Sequence, residues 1–308
     1  MELPVVLAAK RDRLLTWLHE RQPIAVAFSG GVDSAVVAQA ARLACGDKAL
    51  AITADSPSVP RAELAAAQHL ARLIGIPHVT LPTHEVEQPA YRRNDGLRCY
   101  HCKTELYTRI RQYLQQRHEG VSSWTIVSGA NVDDAGDFRP GLQAAAEQHV
   151  RHPLQEIGLT KAEVRQLARH WGLPVWDKPA SPCLSSRLAP GVAVTQERLA
   201  RVEAAEAFLR QHGLRDCRVR YHADDLARVE VPIDDLPALL QEPIRSELVN
   251  TLLQLGFRYV TLDLQGLRSG SLNTLVPLEI RLRYTNIPVS GGRMKSAIVA
   301  LPPSTPPG

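Results

Sequence analysis

Short apolar runs alternate with longer amphipathic segments through the first half of the chain. Ile24 to Phe28 is an unbroken apolar run, as a strand buried on both faces requires. Ser29 to Gly31 reads as a turn, and Asp33 to Cys45 as a helix. Ala49 to Ala54 predicts a second strand, and the Ala-rich stretch from Pro60 to Ile74 a second helix. Val79 to Leu81 predicts a third strand, Lys103 to Arg117 a helix, and Thr125 to Val127 a further strand. Such alternation builds βαβ units around a parallel sheet. Thr160 and Glu163 have capping-box spacing, which predicts a helix ending before Gly172.

Pro174, Pro179, Pro182 and Pro190 then interrupt the pattern and mark a domain junction. Thr195 to Gln211 predicts a connecting helix. Cys217 to His222 and Ala227 to Val231 alternate like paired strands, Asp234 to Leu240 and Ile244 to Leu255 read as helical, and Tyr259 to Leu262 as a last strand. The expected class is α/β, with a parallel-sheet domain over residues 1–180 and a smaller C-terminal α+β domain over 181–275. Residues 276–308 are unassigned, and the ending ALPPSTPPG reads as disordered.

The 308 residues suffice for two such cores. Aromatic residues make up only 5%, so Ala, Leu and Val must fill them. A net charge of +4 suits an anionic small ligand and argues against a nucleic-acid partner. Charges interrupt the apolar N-terminal stretch, which excludes a signal peptide, and no apolar run is long enough to span a membrane. A cytoplasmic location is expected, where the five cysteines are reduced thiols or metal ligands.

Ser29-Gly30-Gly31-Val32-Asp33-Ser34 follows the first strand and opens a helix. Two glycines let backbone N–H groups wrap an anion, and the helix N-terminus adds unsatisfied donors. Ser29 and Ser34 can donate hydroxyls to phosphate oxygens, and Asp33 can help hold the Mg2+ that bridges them. There is no Gly-Lys-Ser/Thr, so this is not a Walker A loop. The hexapeptide resembles the PP-loop, which grips the pyrophosphate of ATP in enzymes that transfer AMP. That resemblance implies a Rossmann-like ATP pyrophosphatase domain. Ligands of parallel sheets bind beyond the C-terminal strand ends. Asp55 and Ser56 end the second strand and are candidates to meet adenine or ribose, while Gly129, Asn131, Asp133 and Asp134 follow a later strand and are candidate contacts to nucleotide or metal.

Cys99 and Cys102 form a CxxC, and Cys183 lies in the run Ser181-Pro182-Cys183-Leu184-Ser185-Ser186-Arg187. A lone CxxC fits a redox pair or half a zinc site. With Cys183, three thiolates fit a 4Fe-4S cluster that leaves one iron open. Cys183 beside Arg187 also fits a nucleophilic thiolate. Cys45 and Cys217 read as packing residues.

Together these motifs resemble the LarE family, over about residues 10–275. The resemblance rests on SGGVDS, TADSPSVP, RCYHCK, GANVDDAGDFRPG, VRHPLQEIGLTKAEVR, WDKPASPCLSSR, VRYHADDLARVEV and GFRYVTLDLQGLRSGSLN. It implies an adenylating sulfurtransferase of nickel-pincer nucleotide biosynthesis, in the maturation of lactate racemase. ATP adenylates a carboxylate of pyridinium-3,5-biscarboxylic acid mononucleotide, and sulfur then displaces AMP. It further implies that a chain with Cys99, Cys102 and Cys183 holds a 4Fe-4S cluster fed by a sulfide donor, with Cys183 as a ligand and not a sacrificed sulfur. The substrate phosphate is expected at Ser186, Arg187, Arg218 and Arg220, with Glu230 pairing one of the arginines. A homo-oligomer is expected. Three other readings compete: a tRNA-thiolating PP-loop enzyme, an ammonia-using amide ligase, and a non-catalytic nucleotide-binding module.

Overall fold

The computed structural model describes residues 3–117, 123–134, 140–179, 181–268, 270–276 and 278–283. The elements of the first half are α1 (Val5–Glu20), β1 (Ile24–Ala27), α2 (Val32–Cys45), β2 (Ala49–Asp55), α3 (Arg61–Ile74), β3 (His78–Pro82), α4 (Pro89–Arg92), α5 (Arg98–Arg117) and β4 (Thr125–Val127). Then come α6 (Pro140–Glu147), α7 (Pro153–Ile157), α8 (Lys161–His170) and α9 (Gln196–Gln211). The rest comprises β5 (Arg218–Tyr221), β6 (Leu226–Glu230), α10 (Leu236–Leu239), α11 (Ile244–Gln254), β7 (Tyr259–Leu262) and α12 (Leu278–Arg283).

Strands β1 to β4 form a parallel sheet in the order β3-β2-β1-β4. Period-two alternation sends Ile24, Val26, Ala49 and Ala51 to one face, against α1, α2, α7 and α8. Ala25, Leu50, Ile52 and Ile126 point the other way, against α5 and α6. Both faces are covered, which is why the strands read as continuous apolar runs. The chain winds outward from β1 to β3 and returns on the other side of β1 as β4. The β1/β4 boundary is therefore the topological switch point, where a crevice opens beyond the strand ends.

In the second half, β5 and β6 are antiparallel, while β6 and β7 are parallel. Val219, Tyr221, Ala227 and Val229 pack against Leu199, Val202, Ala205 and Leu209 of α9 and Leu248 and Leu252 of α11. This second core also takes in Tyr91, Leu184 and Leu188, so segments on both sides of the proline-rich stretch are built into it.

Most sequence-predicted elements appear within a residue or two. The capping box is present, with Thr160 and Glu163 each bonding the other's backbone. Three expectations change. The helix expected from Lys103 begins at Arg98, so the CxxC lies inside its first turns. Asp234 to Leu240 is a 3-10 turn at Ile233–Asp235 followed by one helical turn. The N-terminal stretch, assigned no element, is the helix α1, which buries Leu7, Leu14, Trp17 and Leu18. Residues 284–308, including the end expected to be disordered, lie outside the described residues, as do 135–139 of the segment GANVDDAGDFRPG. No described helix is long and apolar enough to cross a membrane.

Candidate active site

The loop Ser29–Gly31 joins β1 to α2 at the switch point. Gly30 has φ +72, and a Cβ there would lie 2.9 Å from Ala67 Cβ, so the turn packs directly on α3. Ser29 Oγ and Ser34 Oγ are 3.2 Å apart, and Ser34 Oγ donates to Gly31 O at 3.0 Å. The hydroxyls thus bond one another where a phosphate would take them over. Val32, Asp33 and Ser34 form the first turn of α2, whose free N–H groups face the crevice.

Gly129 follows β4 and meets this turn from the other side. A Cβ on Gly129 would lie 2.7 Å from Ser34 N and 2.9 Å from Asp33 C. Both are backbone atoms and cannot yield. We therefore expect Gly129→Ala to weaken ATP binding and to cost about 1–3 kcal/mol of stability. ATP titration and thermal unfolding check both parts.

Asp33 is the charged centre of the crevice. Its Oδ1 accepts from Asn131 Nδ2 at 3.0 Å, and its Oδ2 accepts from Lys161 Nζ. Asn131 is buried and braced by its own turn, with Asp133 N donating to its Oδ1 at 2.9 Å. Asp133 Oδ2 accepts from Lys161 N at 2.6 Å. Asn131 and Asp133 thus hold Asp33 and Lys161 in place. Lys161 was not among the sequence candidates. The signal for it was a lysine in the first turn of a helix, where the dipole disfavours a cation unless an anion lies near.

Among the described residues, no three His, Cys, Asp or Glu side chains converge to hold a metal ion. Mg2+ on a nucleotide does not need such a set. It takes one or two carboxylates, with waters and phosphate oxygens completing its shell, and Asp33 supplies the right donor type.

The loop after β2 is a second wall. Asp55 accepts from Arg61 Nη1 at 2.5 Å and stays partly exposed. Ser56 does not match its expected place at adenine or ribose. It is 2% exposed, its hydroxyl donates to Glu85 Oε1, and it also accepts from Ser58 N.

Cys183 reaches the same edge of the sheet. Leu184 N donates to Ser58 O at 2.8 Å, which seats the cysteine loop on the loop after β2. Lys178 Nζ adds a bond to Glu63 Oε2 of α3 at 2.6 Å. Cys183 and Cys102 are partly buried, and Cys99 is exposed. Burial raises the Cys102 thiol, opposed by Lys103, while Cys183 and Cys99 raise it further. Burial alone would lower Arg98, but Cys99, Cys183, Tyr91 and Cys102 outweigh it and hold the guanidinium above its ordinary value. All three thiols therefore lie within electrostatic range of one another and of two cations, Arg98 and Lys103. A cluster takes one thiolate per iron, so its ligands stand apart and need not converge on one point as around a single ion. The three thiols fit that group in donor type and leave its fourth iron without a protein ligand. By contrast, Cys45 and Cys217 are packing residues, with thiols pushed by burial to about 11.

The four expected phosphate ligands divide. The Arg187 guanidinium is buried rather than free, because Glu206 takes it at 2.8 Å and it also donates to Pro182 O and Cys183 O. Arg220 is likewise held by Glu230 at 2.7 Å, the pairing expected between the strands, and it donates to Ser186 O. Ser186 and Arg218 remain partly exposed. Burial, then Arg187, lowers the Arg218 guanidinium, opposed by Glu206, and Arg220 lowers it further.

A phosphate loop at the switch point of a parallel sheet, without the Walker lysine, defines an ATP-binding enzyme of the PP-loop superfamily. The NAD synthase family model matches residues 17–191. The pyridinium-3,5-bisthiocarboxylic acid mononucleotide synthase of Lactiplantibacillus plantarum is 36% identical over 87% of this chain and 95% of its own. An uncharacterized protein of Synechocystis is 44% identical over 88% of this chain and 99% of its own. A tRNA-specific 2-thiouridylase of Rickettsia rickettsii is 26% identical over 53% of each chain. The chain belongs to the LarE family of PP-loop enzymes.

Proposed function

We propose that this protein uses ATP to convert the carboxylates of pyridinium-3,5-biscarboxylic acid mononucleotide to thiocarboxylates. A carboxylate oxygen attacks the α-phosphorus of ATP, the α–β anhydride bond breaks, and pyrophosphate leaves. Sulfide then attacks the acyl carbon, and AMP leaves with the former carboxylate oxygen. The supporting observation is the bond from Leu184 N to Ser58 O, which seats the Cys183 loop on the loop after β2, beside the α3 helix on which the phosphate loop packs.

Residues of this chain have distinct tasks in that reaction. The N–H groups of the Ser29–Ser34 turn, with both serine hydroxyls, stabilise the departing pyrophosphate. Asp33 would help hold the Mg2+ that supplies charge neutralisation at the phosphates, and Lys161, released from Asp33, neutralises phosphate charge beside it. Asp55 lies where the ribose or adenine would meet the loop after β2. Ser186 and Arg218 hold the substrate phosphate, while Arg187 and Arg220, paired with Glu206 and Glu230, fix the loop and strand that carry them. Cys99, Cys102 and Cys183 would hold a 4Fe-4S cluster, which would supply the sulfide for the second step.

The test is ATP–pyrophosphate exchange with anaerobically purified protein, together with the product mass. Exchange that depends on the pyridinium nucleotide, with sulfur replacing oxygen in the product, is the expected result. Exchange that responds only to tRNA would favour a thiouridylase. Full activity of the Cys99→Ala, Cys102→Ala double variant with ammonia would favour an amide ligase. Lys161→Met is expected to raise the KM for ATP and lower exchange about 100-fold. Its pair with Asp33 is partly exposed, so the melting temperature should barely move.

A further inference from the structure

The Tyr91 hydroxyl, on α4, is the meeting point of two loops. It lies 2.7 Å from Ser58 Oγ and 2.7 Å from Ser185 Oγ, and the two serine oxygens are 2.9 Å apart. Tyr91 is 1% exposed, Ser58 3% and Ser185 0%. Three hydroxyls in a closed triangle can each donate once and accept once, so no polar atom is left over. Apolar side chains would fill this space without any desolvation cost. What a satisfied hydroxyl ring adds is a single allowed geometry.

The triangle joins two places that matter. Ser58 belongs to the nucleotide-side loop that carries Asp55. Ser185 lies two residues beyond Cys183. Just past α4, Asn94 secures the other end of the same loop. Its Nδ2 donates to Leu188 O, Ala189 O and Val192 O at 3.3, 2.9 and 3.0 Å, and its Oδ1 accepts from Arg98 at 2.6 Å. Asn94 is buried with φ 52, so its position is fixed by its contacts rather than by backbone preference.

We infer that Tyr91 is a positioning residue that couples nucleotide binding to the placement of Cys183. Nucleotide beside Asp55 restrains the loop after β2, and the hydroxyl triangle closed by Tyr91 carries that restraint into the Cys183 loop, which is held against the adenylate. The consequence for sulfur transfer rests on the function proposed above. The coupling itself does not.

Tyr91→Phe tests this, because it removes one oxygen and leaves the ring in place. Ser58 and Ser185 can still bond each other, so the fold should persist. In the wild-type protein, Mg-ATP should slow hydrogen–deuterium exchange of the amides at 184–188. In Tyr91→Phe that slowing should shrink about fivefold or more. Pyrophosphate exchange should stay within about threefold. Sulfur insertion should fall about 100-fold through misplacement alone. Ser58→Ala, which leaves Tyr91 bonded to Ser185, should reproduce the loss of coupling. Absence of ATP-dependent slowing in the wild type, or equal slowing in both proteins, overturns the inference. So does an equal fall of pyrophosphate exchange and sulfur insertion, the mark of a merely structural role. If the wild type inserts no sulfur into the pyridinium nucleotide, the proposed function fails, and the amide measurement still decides the coupling.

Discussion

Replacing Cys183 by alanine should abolish sulfur insertion while ATP–pyrophosphate exchange continues at nearly the wild-type rate. The loop around Cys183 does not depend on its thiol. Arg187 donates to Pro182 O at 2.5 Å and to Cys183 O at 3.1 Å, and Leu184 N is bonded to Ser58 O. These bonds involve backbone carbonyls and survive the substitution. The phosphate loop and Asp33 belong to other elements, so adenylation keeps its machinery. Transfer should fall at least about 1000-fold, as expected when the group that holds the nucleophile is removed. Parallel loss of pyrophosphate exchange would place Cys183 in adenylation instead.

The Cys99→Ala, Cys102→Ala pair refines this result. If the three thiols act together, the double variant should match Cys183→Ala in sulfur insertion and should lose bound iron. If Cys183 gives up its own sulfur, the double variant should still complete one turnover, and its mass should fall by one hydrogen sulfide for each sulfur delivered. Iron analysis and intact-protein mass spectrometry separate the two outcomes.

Asp33→Asn should lower pyrophosphate exchange about 1000-fold, the scale of losing a group that organises phosphate charge. The amide keeps the shape of the carboxylate and can still accept from Asn131. It loses the charge that orients Mg2+ and restrains Lys161. The ion pair with Lys161 leaves 24% of the Asp33 side chain and 36% of the Lys161 side chain exposed, so its loss costs at most about 1 kcal/mol. Activity should collapse in a protein that still melts cooperatively. If raised Mg2+ fails to restore any exchange and the protein unfolds early, Asp33 is structural.

The phosphate loop was legible because everything that makes it one is local. A strand, two glycines, flanking hydroxyls and a helix start occupy one short stretch of chain. The sheet was legible for a related reason, since burial on both faces leaves continuous apolar runs. Lys161, Tyr91, Asn94 and Ser58 were not legible as site residues. Each works through a bond to a residue far away in sequence, such as Asp33 for Lys161 or Ser185 for Tyr91, and a single polar residue has no periodicity to announce it. The start of α5 was misplaced for a local reason. Arg98 to Cys102 contains aromatic, Cys and His residues of middling helix propensity, and the segment is helical in the company of α6, whose Gly141 lies against Cys99 and Lys103. The buried pairing of Arg187 was not legible because its partner, Glu206, sits on a helix that reads as purely connecting.

The crossover between β3 and β4 contains Tyr91, Asn94, Arg98, Cys99, Cys102 and Lys103, while the phosphate loop, Asp33 and Asp55 all precede it. The CxxC therefore sits within a single crossover of the sheet, whereas Asn131, Lys161 and Cys183 all follow β4. A sheet of this kind can lengthen or exchange one crossover while its strand order and the turn after β1 stay in place.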